Sequence, residues 1–151
     1  MNKPVLFCDD GSEGSRTALA AAVELIKPAD AVVLVVWTPA AVQLALAGSF
    51  VVAVPNEGEI DDEEAAAALR IAEEGAAGAR ERGYNASARI ARADESVAKT
   101  IDEVAEEIDA GLIVCGQRGR GAIRSALLGS VSHALAAHAK RPVLIAPQRL
   151  S

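Results

Sequence analysis

The chain has 151 residues, enough to bury one core, and a single domain over 1–151 is expected. Apolar residues make up 51% but aromatics only 3%, so the core must be built from Ala, Val, Leu and Ile. A net charge of −6 with no Lys/Arg run argues against nucleic acid or an anionic membrane as partner, and two cysteines make no disulfide framework.

The opening residues include Lys3, Asp9 and Asp10, which interrupt any apolar run of a secretory signal. A cytoplasmic protein is the expectation. Val5 to Cys8 predicts a strand, ended by the turn Asp9-Asp10-Gly11-Ser12. Ser12 or Ser15 can cap the next helix, whose buried stripe is Ala18, Leu19, Ala22, Val23 and Ile26. Pro28 stops it. Ala31 to Trp37 is a second, β-branched strand.

From Ala31 to Asn56 there is no charge, a length that would span a membrane. Thr38-Pro39, Gln43, Gly48-Ser49 and Pro55 punctuate it, and no Lys/Arg bias flanks it. The expectation is therefore a loop or short helix over 40–54, folded over the crevice at the sheet end or over a subunit interface.

Asp61 to Arg82 predicts a helix with an acidic first turn, Asp61 to Glu64, weakened later by Gly75 and Gly78. Ala86 to Ala91 is the third strand. Ser96 to Ala110 is a helix with the stripe Val97, Ile101, Val104 and Ile108. Leu112 to Cys115 is the fourth strand, Leu127 to His138 a helix and Val143 to Ala146 the fifth strand. Five apolar strands alternating with four helices imply an α/β fold, a doubly wound parallel sheet covered on both faces.

The run after the fourth strand carries the chemistry. Gly116-Gln117-Arg118-Gly119 is followed, after nine residues, by Gly129-Ser130 at a helix start. Glycine leaves no Cβ between backbone amides and a ligand. The unpaired N–H groups of a helix start attract an anion. Arg118, Arg120 and Arg124 add positive charge suited to a polyphosphate. No Gly-Lys-Ser/Thr follows, so this is not a Walker loop, and Gly116, Gly119 and Gly121 do not make a dinucleotide fingerprint. On these residues alone the competing reading is a glycine-rich turn with solvated arginines; Gly129-Ser130 tips the balance towards an anion site.

The pattern G-x2-G-x9-G-[S/T], here GQRGRGAIRSALLGSVSHAL, resembles the nucleotide-binding signature of the universal stress protein family, in its ATP-binding subtype. Val5 to Ser15 resembles that family's first strand and Asp-Gly-Ser turn, and Lys140 to Ile145 its closing strand. The resemblance runs through nearly the whole chain. It implies an adenine nucleotide alpha hydrolase-like, Rossmann-like sheet of order 3-2-1-4-5, with the first and fourth strands adjacent at the switch point. It further implies an adenine nucleotide between the Asp10 turn and the Gly116–Ser132 loop. That ligand is ATP, with AMP and ADP sharing most contacts, and Mg²⁺ is held mostly by phosphates and waters.

The residues so implied are Cys8, Asp10, Val36 (through its backbone, to adenine), Gly116, Gln117, Arg118, Gly119, Arg120, Gly121, Ala122, Gly129, Ser130, Val131 and Ser132. A homodimer through the last strand and a regulated protein partner complete what the resemblance implies.

The residues also have plainer readings. Asp10 can close an Asx turn. Cys8 and Cys115 can be inert core thiols, although they end neighbouring strands in the implied order and oxidation could join them. Trp37, the sole tryptophan, can cover a base or sit at an interface. His133 and His138 are five apart and do not share a helical face as metal ligands would. Three functions follow: a nucleotide-binding stress-response regulator, a slow ATP hydrolase or phosphotransferase, and a phospho-accepting receiver. No general base favours the second. Cys115-Gly116 in place of Ser/Thr, and no Lys after the fifth strand, count against the third.

Overall fold

The computed structural model describes residues 2–48, 53–119 and 128–147. Five strands form one parallel sheet: β1 (Val5–Cys8), β2 (Asp30–Trp37), β3 (Asn85–Arg92), β4 (Leu112–Gly116) and β5 (Val143–Ala146), in the order β3-β2-β1-β4-β5. The expected order is therefore present. Phe7 of the central strand pairs with Val33 on one side and Val114 on the other.

Alternation along β1 divides the core. Val5 and Phe7 face α1 (Glu13–Leu25) and α3 (Glu57–Glu81), meeting Leu19, Ala22, Ala76 and Ala79. Leu6 faces α4 (Val97–Glu107) and α5 (Ser130–His138), meeting Ile101, Val104 and Leu135. Both faces of the sheet are thus covered, which is why β1, β2, β4 and β5 read as continuous apolar runs, while the edge strand β3 alternates. With so few aromatics, shape is made by small residues. Ala68, Ala72, Ala76 and Ala79 form the buried stripe of α3 and let it lie close to the sheet. Tyr84 packs edge-on to Phe7 at 5.6 Å, and its hydroxyl reaches the carbonyls of Val23 and Ile26, tying the end of α1 to the entry of β3.

Three local features correct or complete the sequence reading. A fifth helix, α2 (Ala40–Leu46), lies in the long β2–α3 connection, where the expected alternation had four. It realises the short-helix reading of the uncharged stretch over those residues; 49–52 lie outside the described residues. The long helix begins at Glu57, one turn before Asp61, so Glu57 and Glu59 occupy its first turn. Asp61 instead accepts from the Ala40 amide at 3.0 Å, supplying the acceptor that Pro39, at the N-cap of α2, lacks. Finally, Gly75 and Gly78 do not interrupt α3. A Cβ on Gly75 would lie 2.8 Å from Val33 Cγ1, so glycine there permits close helix–sheet contact in return for its local propensity cost. Among the described residues, no helix is long and apolar enough to cross a membrane.

Candidate functional site

The carboxyl ends of β1, β2 and β4 open into a cavity of about 540 Å³. Strand order reverses beside β1, and crevices at such points are where doubly wound sheets take ligands.

The β1 exit is built by two adjacent aspartates with different tasks. Asp9 is buried; its Oδ1 accepts from the Gly11 amide at 2.8 Å and from Ser15 Oγ at 3.0 Å. Asp10 Oδ1 accepts from the Ser12 amide at 2.9 Å and Ser12 Oγ at 2.6 Å, an Asx turn. Gly11 sits at φ 79°, where a side chain would be strained, so the chain can turn directly into α1. Ser12 is the N-cap and accepts from the Ser15 amide.

The glycine loop folds onto this turn. Gln117 donates its amide to Ala146 and accepts, at its carbonyl, from the Gly129 amide and from Ser132 Oγ, both at 2.8 Å. These bonds clamp the strand exit to the start of α5. A Cβ on Gly119 would lie 2.2 Å from Asp10 Oδ2. The two turns are therefore in contact, and glycine is required for the approach. Gly129 is the N-cap of α5 and offers no side-chain acceptor. The amides of Ser130, Val131 and Ser132 follow it at the positive end of the helix dipole. Arg118 Nε is buried and has no hydrogen-bond partner among the described residues. Leaving such a charged donor unsatisfied is costly, and an anion would relieve it.

Cys8, Asp10 and Val36 line this cavity from β1 and β2, and Gly116, Arg118, Gly119, Gly129, Ser130, Val131 and Ser132 line it from the loop and α5. Gln117 acts beneath the wall, through its backbone. Arg120, Gly121, Ala122 and Arg124 lie outside the described residues. Sequence reasoning missed the far wall, made by Thr38, Gln43 of α2 and Glu64, Ala67, Ala68 and Ile71 of α3. The available signal was the run of small residues 65–68, which leaves room beside the β2 exit.

Burial raises the Cys8 thiol well above its ordinary range, with the neighbouring Cys115 and Asp9 adding to the shift. Burial also pushes Cys115 from 9.0 to about 11. Both are free. For Cys115, a folded-state value above the unfolded one means that burying the neutral thiol favours folding fully below about pH 9, and that this contribution is lost as pH rises through about 11; the Cys8 contribution has the same sign. Thiolate is the reactive form. Both cysteines are therefore expected to react with maleimide at pH 8 at least about tenfold more slowly than in the urea-unfolded chain. Equal rates in the two states would contradict the buried, protonated assignment.

The comparisons with known proteins agree with this architecture. A model of the universal stress protein family matches residues 1–147. The chain is 36% identical over 150 residues to the universal stress protein YxiE of Bacillus subtilis, covering 96% of this chain and 99% of that one. Among solved structures, a universal stress family protein from Burkholderia pseudomallei is 27% identical with a TM-score of 0.73, covering 96% of each chain. The hypothetical protein MJ0577 shares the fold with a TM-score of 0.79 at 21% identity, covering 100% of this chain and 99% of its own. Other structures of the same fold hold nucleotides: one universal stress protein with cAMP, one from Arabidopsis thaliana with AMP and one from Archaeoglobus fulgidus with dAMP. The match over nearly the full length, together with the sheet order, makes this chain a member of the universal stress protein family.

Proposed function

We propose that the chain, acting as one domain, is an ATP-binding regulatory protein of the stress response, with the nucleotide held between the Asp10 turn and the Gly116–Ser132 loop. One observation carries this reading: a buried Arg118 Nε, without a hydrogen-bond partner among the described residues, and a helix start capped by Gly129 line the same cavity. Phosphates satisfy both at once. The amides of Ser130 to Ser132 and the Ser130 hydroxyl receive phosphate oxygens, Asp10 accepts from ribose hydroxyls, and the Val36 backbone meets adenine. Cys8 adds contact within the cavity, and Arg120, Gly121 and Ala122, outside the described residues, belong to the same proposed set. That related structures hold adenine nucleotides supports the choice of base.

Among the described residues, no group of three His, Cys, Asp or Glu side chains is placed to hold a metal. Mg²⁺ in this reading rides on the phosphates and water. AMP and ADP share the base and ribose contacts. The protein acts by binding, in the cytoplasm and on a protein partner, rather than by turning ATP over. Calorimetric titration with ATP tests it: saturable binding at one nucleotide per chain is expected, and no heat at millimolar ATP would reject it.

The reading includes a homodimer. β5 ends the sheet, and its Val143, Leu144 and Ile145 are only half-buried. Such an apolar edge with unpaired backbone groups invites a second copy, and a two-fold pairing satisfies both chains. Light scattering at micromolar concentration is expected to give twice the chain mass. A monomer mass with and without ATP would contradict the pairing.

A further inference from the structure

We propose that Trp37 is the wall against which the base of the nucleotide stacks, which makes it a specificity-determining residue of this site. The proposal rests on the nucleotide reading above. Trp37 is the last residue of β2 and lines the same cavity as the glycine loop. β2 and β4 flank β1, so their exits stand two strand spacings apart, about 10 Å. A ribose bridges that gap, leaving phosphates at the loop and the base at the β2 exit.

The indole is held for this task. Its backbone is fixed by pairing with Arg92 in β3 and by the Ala93 amide donating to the Trp37 carbonyl at 2.9 Å. One flank packs on the cluster of Val35, Ala68 and Ala72, yet the residue stays only half-buried. The Arg92 guanidinium carbon lies over the ring, 5.9 Å from its centroid, and Arg92 is itself anchored to Asp94 at 2.8 Å. Arg92 is not part of the cavity wall. A cation outside the cavity thus steadies an aromatic ring that lines it. Ala67 and Ala68 line the same cavity, and such small residues leave room for a planar base.

Trp37 is the sole tryptophan, so intrinsic emission reports this position alone. ATP and inorganic triphosphate are titrated into the full chain, with calorimetry alongside emission. ATP is expected to change Trp37 emission saturably, at the affinity found by calorimetry. Triphosphate, which has no base, is expected to bind the loop while leaving the emission unchanged. Trp37→Ala is expected to weaken ATP about 5- to 160-fold, the usual range for losing one base–aromatic stack, and triphosphate hardly at all. Trp37→Phe keeps a ring and is expected to recover most of the affinity. If ATP binds by calorimetry with wild-type emission unchanged and with Trp37→Phe and Trp37→Ala equal to wild type, the stacking proposal is overturned while nucleotide binding stands. An emission change that follows protein concentration rather than ATP would overturn it in favour of an interface role. No ATP binding to the wild type would remove the nucleotide reading and this proposal together.

Discussion

Gly119→Val is expected to weaken ATP binding at least about tenfold, equivalent to about 1.5–3 kcal/mol for one lost buried anion contact. The first obstacle lies within the protein. A Cβ at this position would stand 2.2 Å from Asp10 Oδ2 and 3.3 Å from Asp10 Cγ. Asp10 cannot simply swing away, because its other oxygen holds the Ser12 amide and hydroxyl. The loop cannot easily retreat either, because Gln117 and Gly129 are hydrogen-bonded into the sheet exit and the helix start. A valine must therefore break the Asx turn or displace the phosphate-facing backbone, and both elements belong to the proposed site. Gly58→Ala is the control, since a Cβ there meets nothing within 4 Å. Calorimetry giving Gly119→Val the affinity of wild type would mean that the Asp10–Gly119 contact does not shape the ligand site.

Gly75→Val and Gly78→Ala are expected to change stability in opposite directions, although both lie in α3. Propensity alone would have either substitution stabilise the helix, by up to about 1 kcal/mol for Gly to Ala. At Gly75 packing outweighs propensity. The added Cβ would meet Val33 Cγ1 at 2.8 Å and Asp9 Oδ2 at 3.3 Å, and valine adds two more methyl groups. Overpacking of this kind costs about 1–3 kcal/mol, and here it presses on the buried Asp9 that holds the β1 turn. At Gly78 the nearest atom is Arg82 Nη1, 3.9 Å away and in ordinary van der Waals contact, so the propensity gain is kept. Urea denaturation is expected to show a lower midpoint for Gly75→Val and an equal or higher one for Gly78→Ala. An equal or higher midpoint for Gly75→Val would contradict the close-approach role of Gly75, and a lower one for Gly78→Ala would contradict the open surroundings of Gly78.

These variants mark the limit of what was legible in the sequence. β1, β2, β4 and β5 were readable as short apolar runs between turn residues and β3 by its alternation, and β1 and β5 begin and end where their runs do. Their order was not readable from the runs, because nothing in a local pattern says which strands are neighbours; it came from the family resemblance. The loop from Gly116 to Ser132 was legible because glycines and a helix entry have a chemical meaning at that spacing. The opposite wall was not. Gln43 and Glu64 reach the cavity only because α2 folds back on α3, and the Asp61–Ala40 hydrogen bond that accompanies this fold spans 21 residues. An acidic run next to an apolar one reads as a helix start; that Asp61 serves the preceding helix is a tertiary fact. Gly75 gives the same lesson. Its sequence cost is local, while its benefit, contact with Val33, appears only when helix meets sheet.

Native mass spectrometry of the full chain tests the central claim most directly. Protein purified without added ligand, and then mixed with millimolar ATP and Mg²⁺, is sprayed under non-denaturing conditions. The account predicts a species carrying one adenine nucleotide per chain, retained in pairs of chains and reduced in Gly119→Val. Spectra showing only unliganded protein, with ATP in excess and the wild-type chain folded, would contradict it.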